Sequence, residues 1–88
     1  MSAAFESGLR GHLESKPRLT LQDKRLLRVL DLPKNNPWRK FVLGQLEKTA
    51  TAKLQQDGAT AIDWSSIDWA KLLEQLLAFI KAILALFA

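Results

Sequence analysis

The sequence predicts an all-α protein, a small helical bundle of about four helices that ends in a long amphipathic C-terminal helix. Two observations support this prediction. Tyr is absent, Gly is sparse and β-branched residues are few, whereas Leu, Ala, Lys, Gln and Glu, which favour helices, are well represented. Apolar residues also recur at helical spacing in four segments, and Pro, Gly and Asn separate these segments.

The first two helices are predicted at about Ala3–Ser15 and Leu21–Leu30. Pro17 ends the first helix, because the residue before a proline avoids the helical conformation. Thr20 is a suitable N-cap for the second helix, and Asp23 three residues later completes a variant of the capping box. These local signals fix the two boundaries.

The third helix is predicted at about Pro37–Gln56. Asn36 acts as its N-cap, and Pro37 occupies the first position, where a missing N–H costs nothing. Gly58 ends the helix, since glycine readily takes the left-handed conformation just beyond a helix C-terminus. An apolar track with a spacing of four residues runs along the helix through Trp38, Val42, Leu46, Ala50 and Leu54.

The fourth helix follows a doubled Ile-Asp-Trp at 62–64 and 67–69. With Ser65 as the N-cap, Asp68 at the third helical position can reach back to the cap. Trp64 and Trp69 then take the two positions of a hydrophobic staple. We therefore interpret the doubled tripeptide as a device that starts a helix, rather than as a functional repeat.

This C-terminal helix is amphipathic, with one strongly apolar half and one weakly polar half. The polar half holds Lys71, Glu74, Gln75 and Lys81 beside three alanines. We predict a partner or oligomer interface on the helix. It comprises Trp64, Trp69, Leu72, Leu73, Leu76, Leu77, Phe79, Ile80, Ile83, Leu84 and Phe87, together with Ala78, Ala82 and Ala85.

A membrane span is the first alternative for this helix. The 20 residues from Trp69 to Ala88 are long enough to cross a bilayer. Ten large apolar residues would gain about 3–6 kcal/mol in total, whereas each central Lys or Asp costs about 2.5–3.5 kcal/mol. The charged residues therefore offset the gain.

An interfacial helix, or a pore built from one, is the second alternative. Such helices carry a polar face rich in Lys or Arg, but here Asp68 and Glu74 cancel Lys71 and Lys81. Burial against protein is therefore favoured, because large apolar side chains gain about 1.5–3 kcal/mol each when fully buried. The covering surface is either this chain, as in a bundle core, or another chain.

Charge divides the chain, which we predict to be one domain overall. Residues 1–60 form a basic region of about three helices, with eleven Lys and Arg against six Asp and Glu, a net charge of +5. Residues 61–88 form the amphipathic apolar C-terminal helix, with two against three, a net charge of −1.

The densest basic stretch runs from Lys16 to Lys40, with eight basic residues against two acidic ones, a net charge of +6. It is either a solvated face that keeps the protein in solution or a surface for phosphates, an acidic protein or lipid. The candidate anion or nucleic-acid contacts are Lys24, Arg25, Arg28, Lys34, Arg39 and Lys40.

Enzyme chemistry has little support in the sequence. There is no Cys, and the single His12 cannot build a metal cluster alone. No spacing resembles a catalytic triad, and the glycines form no phosphate-binding loop. We therefore expect no enzymatic activity, no metal and no cofactor.

The leading hypothesis is a non-enzymatic interaction or structural protein that assembles with itself or with a larger complex through its C-terminal helix. The alternative is a membrane-active protein that uses the same helix, and the third hypothesis is a small nucleic-acid-binding module that uses residues 16–40. The N-terminus lacks the apolar core of a signal peptide, so a cytoplasmic location is expected, with membrane association left open.

Overall fold

A computed structural model describes residues 2–86 of the chain, and these residues contain five α-helices and no strand. The all-α class and the helical bundle are therefore confirmed. In chain order the helices are α1 (Ala3–Ser15), α2 (Leu21–Leu30), α3 (Pro37–Gln56), α4 (Trp69–Gln75) and α5 (Leu77–Ala85).

Side-chain caps start the first two helices where the sequence predicts them. The Ser2 hydroxyl accepts a hydrogen bond from the Phe5 backbone N–H at 3.1 Å. In α2, the Thr20 hydroxyl accepts from the Asp23 backbone N–H at 3.1 Å, and the Asp23 carboxylate accepts from the Thr20 N–H at 2.9 Å. The predicted capping box is thus complete.

The limits of α3 also follow the prediction. The Asn36 side-chain oxygen accepts from the backbone N–H groups of Trp38 at 2.9 Å and Arg39 at 3.1 Å. Gly58 ends the helix with a φ of +102°, a value that L side chains rarely adopt.

The predicted long C-terminal helix is not confirmed. Residues 62–68 are not helical and contain a turn at 64–66, and the helix that follows is interrupted at Leu76, whose φ and ψ are −97° and +5°. The backbone still donates from Leu76 to Leu72 at 3.0 Å and from Ile80 to Leu76 at 2.9 Å. The two parts pack on different neighbours: α4 lies against α1, whereas α5 lies against α2 and α3.

The prediction that Ser65 caps this helix is wrong. Asp68 is the N-cap of α4, and its carboxylate accepts from the Lys71 backbone N–H at 3.1 Å. Ser65 instead donates from its backbone N–H and its hydroxyl to the Asp63 carboxylate, at 3.0 and 2.6 Å. This local turn engages the Ser65 side chain, because Asp readily bonds the backbone two residues further on.

One hydrophobic core joins all five helices. Phe5, Leu9 and Leu13 of α1 are completely buried, so one side of α1 faces the core along its length. The other buried apolar residues are Leu26, Val29, Leu30, Val42, Leu43, Leu46, Ala50, Trp64, Trp69, Leu72, Leu76, Ile80, Ile83 and Leu84.

Candidate functional site

Trp64 and Trp69, which the sequence predicts at an interface, are buried inside the fold. The ring centroid of Phe5 lies 4.9 Å from that of Trp64 and 5.6 Å from that of Trp69. The Trp69 indole N–H donates to the Trp64 carbonyl oxygen at 2.8 Å. With 8% and 7% of their surface exposed, Trp64 and Trp69 offer little area to a partner.

Gly8 permits this tryptophan packing. A Cβ atom at position 8 would lie 2.6 Å from the Trp64 carbonyl oxygen and 2.7 Å from Trp69 Cζ2, closer than real Cβ contacts. A glycine inside a helix ordinarily weakens it. Here the glycine lets α1 approach the 64–69 turn, a contact that the sequence gives no sign of.

Most of the predicted C-terminal interface is also covered by this chain. Leu73 and Phe79 are half-buried and pack against the core, and Phe87 lies outside the described residues. The remaining inward residues are buried, namely Leu72, Leu76, Ile80, Ile83 and Leu84. For these side chains the covering surface is the bundle itself.

A second face of the C-terminal segment stays uncovered. Leu77 is 38% exposed and Leu86 is 70% exposed, although both are large apolar residues. Only Lys81 carries a charge among the residues of α5. We call this surface the outer face, and define it by the exposed residues Glu74, Leu77, Ala78, Lys81, Ala82, Ala85 and Leu86.

The six predicted anion contacts fall into two groups. Arg39 is buried, with its Nη1 2.7 Å from Glu6 Oε1 and its Nε donating to the Leu30 carbonyl oxygen at 3.5 Å. Glu6 Oε1 receives no aligned hydrogen bond within residues 2–86, so the contact with Arg39 is an ion pair without hydrogen-bond geometry. The Arg39 side chain therefore makes its contacts inside the fold.

The other five cations are available to solvent. Arg25 is half-buried, and the remaining four are exposed. Within the described chain, none of the five lies within ion-pair distance of a carboxylate. These residues are Lys24, Arg25, Arg28, Lys34 and Lys40.

Lys34 lines two concave surfaces beside α1. One, of about 370 Å³, also includes Arg10 and Arg39, and the other, of about 470 Å³, includes Arg39 and Lys40. Positions 34, 39 and 40 therefore lie beside one another at this end of α3. The first free N–H groups of α3, however, already bond to Asn36, so the helix N-terminus does not offer them to an anion.

A third groove, of about 680 Å³, lies between α1 and the 63–70 segment. His12, Asp63 and Asp68 line it, together with Ser65. Hydrogen bonds from the Ser65 side chain and backbone, and from Ser66, lower the pKa of Asp63. The Asp63 carboxylate accepts a hydrogen bond from the Ser65 backbone N–H, and the Asp68 carboxylate accepts one from the Lys71 backbone N–H. Both carboxylates therefore stabilise the local backbone.

Two further properties bear on function. Across residues 2–86, no group of three or more His, Cys, Asp or Glu side chains is arranged to hold a metal ion. No helix in the same range combines the length and the apolar character that a bilayer crossing requires.

Comparison of the chain with protein-family models, with curated proteins and with solved structures gives no match.

Proposed function

We propose that this protein is a non-enzymatic interaction protein that assembles, with itself or with a larger complex, through the outer face of its C-terminal segment. The observation that supports the proposal is the exposure of Leu77 and Leu86 beside Ala78, Ala82 and Ala85, with Lys81 as the one charge on α5.

The chemistry of the outer face suits a helix from another protein. Covering a large apolar side chain that is now in water gains up to about 1.5–3 kcal/mol. Alanine side chains let a neighbouring helix come close, and the helix–helix distance of 8–10 Å depends on the size of the residues at the contact. Leu77 and Leu86 are nine residues apart, so they lie along the two opposite edges of the alanines.

A membrane-active role for the same segment receives less support. Insertion of the apolar half-circle would require Trp69, Leu72 and Ile80 to leave the core, where at most 7% of their surface is exposed. The outer face itself carries Glu74 and Lys81, which balance. It therefore lacks the basic surface that draws helices to anionic lipid.

Nucleic-acid binding is a second candidate function, and one observation favours it. Lys34 and Lys40 lack carboxylate partners within residues 2–86, and both line concave surfaces next to Arg39. Filter binding to DNA and RNA at two salt concentrations tests this candidate, because phosphate contacts release counterions and weaken steeply with salt. Binding that does not respond to salt would remove it.

The assembly proposal is tested by Ala82→Trp, which adds a bulky ring at an exposed position of the outer face. Light scattering behind size-exclusion chromatography should show a loss of assembly relative to wild type. Ala52→Trp, at an exposed position of α3, is the matched control and should keep the wild-type mass. Equal masses for wild type and Ala82→Trp at every concentration would overturn the outer face as a surface for self-assembly.

A further inference from the structure

The burial pattern of the C-terminal segment keeps one helical phase across the interruption at Leu76. Trp69, Leu72, Leu76, Ile80 and Ile83 are all buried, at steps of three and four residues. The residues on the outward side of the segment therefore also form one continuous line, because residues three and four apart lie on the same side of a helix. That line runs through Glu74, Ala78, Lys81 and Ala85, and all four are exposed.

Glu74 and Lys81 are opposite charges on this line, and neither has an ion-pair partner within residues 2–86. They cannot pair with each other. Their Cα atoms lie about 10 Å apart along the helix, because each of the seven residue steps between them adds a rise of about 1.5 Å. Lys81 also has no acidic residue within four positions on either side, so its own helix offers it no carboxylate.

We propose that the outer face is covered by a second copy of this chain, packed antiparallel about a two-fold axis between Leu77 and Ala78. This inference rests on the proposed assembly function and adds its partner and register. The axis lies midway between positions 74 and 81, so Lys81 of each copy faces Glu74 of the other. Two reciprocal ion pairs then flank the crossing point.

The same register places alanines opposite Ala85 and Leu77, whereas Ala82 falls opposite the half-buried Leu73 and Leu86 falls opposite the buried Trp69. A two-fold axis makes a contact self-complementary, so each residue and its counterpart meet twice. Ala85 falls opposite Ala70 of the second copy, and both positions are exposed alanines. Leu77 falls opposite Ala78 at the axis, so the two helices meet there through one large and one small residue. Opposite charges that face each other across an interface fix the register and exclude wrong alignments.

A charge-reversal series tests the register. Lys81→Glu alone, or Glu74→Lys alone, puts like charges opposite each other at both ion-pair positions. Each single variant should raise the dimer dissociation constant about tenfold or more, because like charges across an interface oppose binding. The double variant Glu74→Lys/Lys81→Glu restores both pairs with their signs exchanged. It should return the dissociation constant to within about threefold of wild type.

Controls separate this inference from the proposal beneath it. Lys48→Glu, at an exposed position of α3, should leave the dissociation constant unchanged, and circular dichroism should show that every variant keeps its helix content. If Ala82→Trp blocks dimerisation but the double reversal restores nothing, the antiparallel register is overturned while outer-face assembly stands. If Ala82→Trp leaves the wild-type mass unchanged, self-assembly through the outer face fails, and the two-fold dimer fails with it.

Discussion

Arg39 Nη1 lies 2.7 Å from Glu6 Oε1, and this ion pair joins the first turn of α3 to α1 inside the protein. The Arg39 side chain is 7% exposed and that of Glu6 is 21% exposed. A charge in such a position is costly once its partner is gone. The pair therefore fixes where α3 begins relative to α1.

Removal of one partner should destabilise the fold more than removal of both. Arg39→Met leaves the mostly buried Glu6 carboxylate uncompensated and should cost about 2–3 kcal/mol of unfolding free energy. The double variant Glu6→Leu/Arg39→Met should recover much of that loss, since an apolar pair of similar volume is often neutral. Urea unfolding of both single variants and the double variant measures the coupling.

Strictly additive free energies in this cycle would show that Glu6 and Arg39 do not interact energetically. Loss of polyanion binding in Arg39→Met, with unchanged unfolding free energy, would contradict the buried role assigned here to Arg39.

Gly8 and Gly11 lie on the same helix and should respond in opposite ways to alanine. A Cβ at Gly8 meets the Trp64 carbonyl oxygen at 2.6 Å, so Gly8→Ala should destabilise the fold by about 1–3 kcal/mol through overpacking. At Gly11 a Cβ meets nothing within 4 Å, so Gly11→Ala should stabilise the helix by about 0.5–1 kcal/mol. Thermal unfolding followed by circular dichroism compares the two.

The tryptophans provide a second readout of the same contact. Gly8→Ala should also shift the emission of the Trp64–Trp69 pair, whose ring centroids lie 5.7 Å apart, whereas Gly11→Ala should leave it unchanged. Equal stabilisation by the two substitutions would show that α1 does not approach the 64–69 turn this closely.

Asp23 should contribute stability that is lost in acid. Burial raises the pKa of its carboxyl, but the hydrogen bonds from Lys16, at 2.5 Å, and from Thr20 outweigh burial and leave the pKa lowered. A lowered folded-state pKa means that the ionised form is the one stabilised by folding. The contribution is therefore fully present above the ordinary pKa of 3.8 and is lost as the pH falls through the folded-state pKa.

The variant Asp23→Asn isolates this contribution. It should unfold about 1–2 kcal/mol more easily than wild type at neutral pH, because the capping box and the Lys16 pair are weakened. The two free energies should converge as the pH falls below 3.8. Urea unfolding between neutral and acid pH measures the difference, and a gap that stays constant throughout would contradict the assigned role of the Asp23 charge.

Local signals account for what the sequence predicts well. Thr20 with Asp23, and Asn36 with Pro37, set helix starts through bonds between near neighbours. Gly58 ends α3 by its own conformational freedom. These effects depend on a few consecutive residues, so they can be recognised without knowledge of the fold.

Tertiary packing decides the features that the sequence does not show. No Gly or Pro marks the interruption at Leu76, where α4 packs on α1 and α5 packs on α2 and α3. Ser65 and Asp68 are both suitable N-caps for the C-terminal helix. Asp68 caps α4, because the Ser65 hydroxyl donates to the Asp63 carboxylate instead.

The buried role of Arg39 did leave a signal in the sequence. Arg39, Leu43, Leu46 and Ala50 follow steps of three and four residues, which place them on one helical face. All four are buried, so the inward stripe of α3 is shifted from the track that begins at Trp38. A charge on an apolar stripe predicts an internal partner, and here that partner is Glu6.

The mass of the wild-type protein in solution tests assembly through the outer face most directly. One chain has a mass of 9.9 kDa, so two copies have a mass of 2 × 9.9 = 19.8 kDa. Sedimentation equilibrium without detergent should show the weight-average mass rising with concentration from the first value toward the second. A mass that stays at 9.9 kDa at every concentration would contradict self-assembly through Leu77, Ala82 and Leu86.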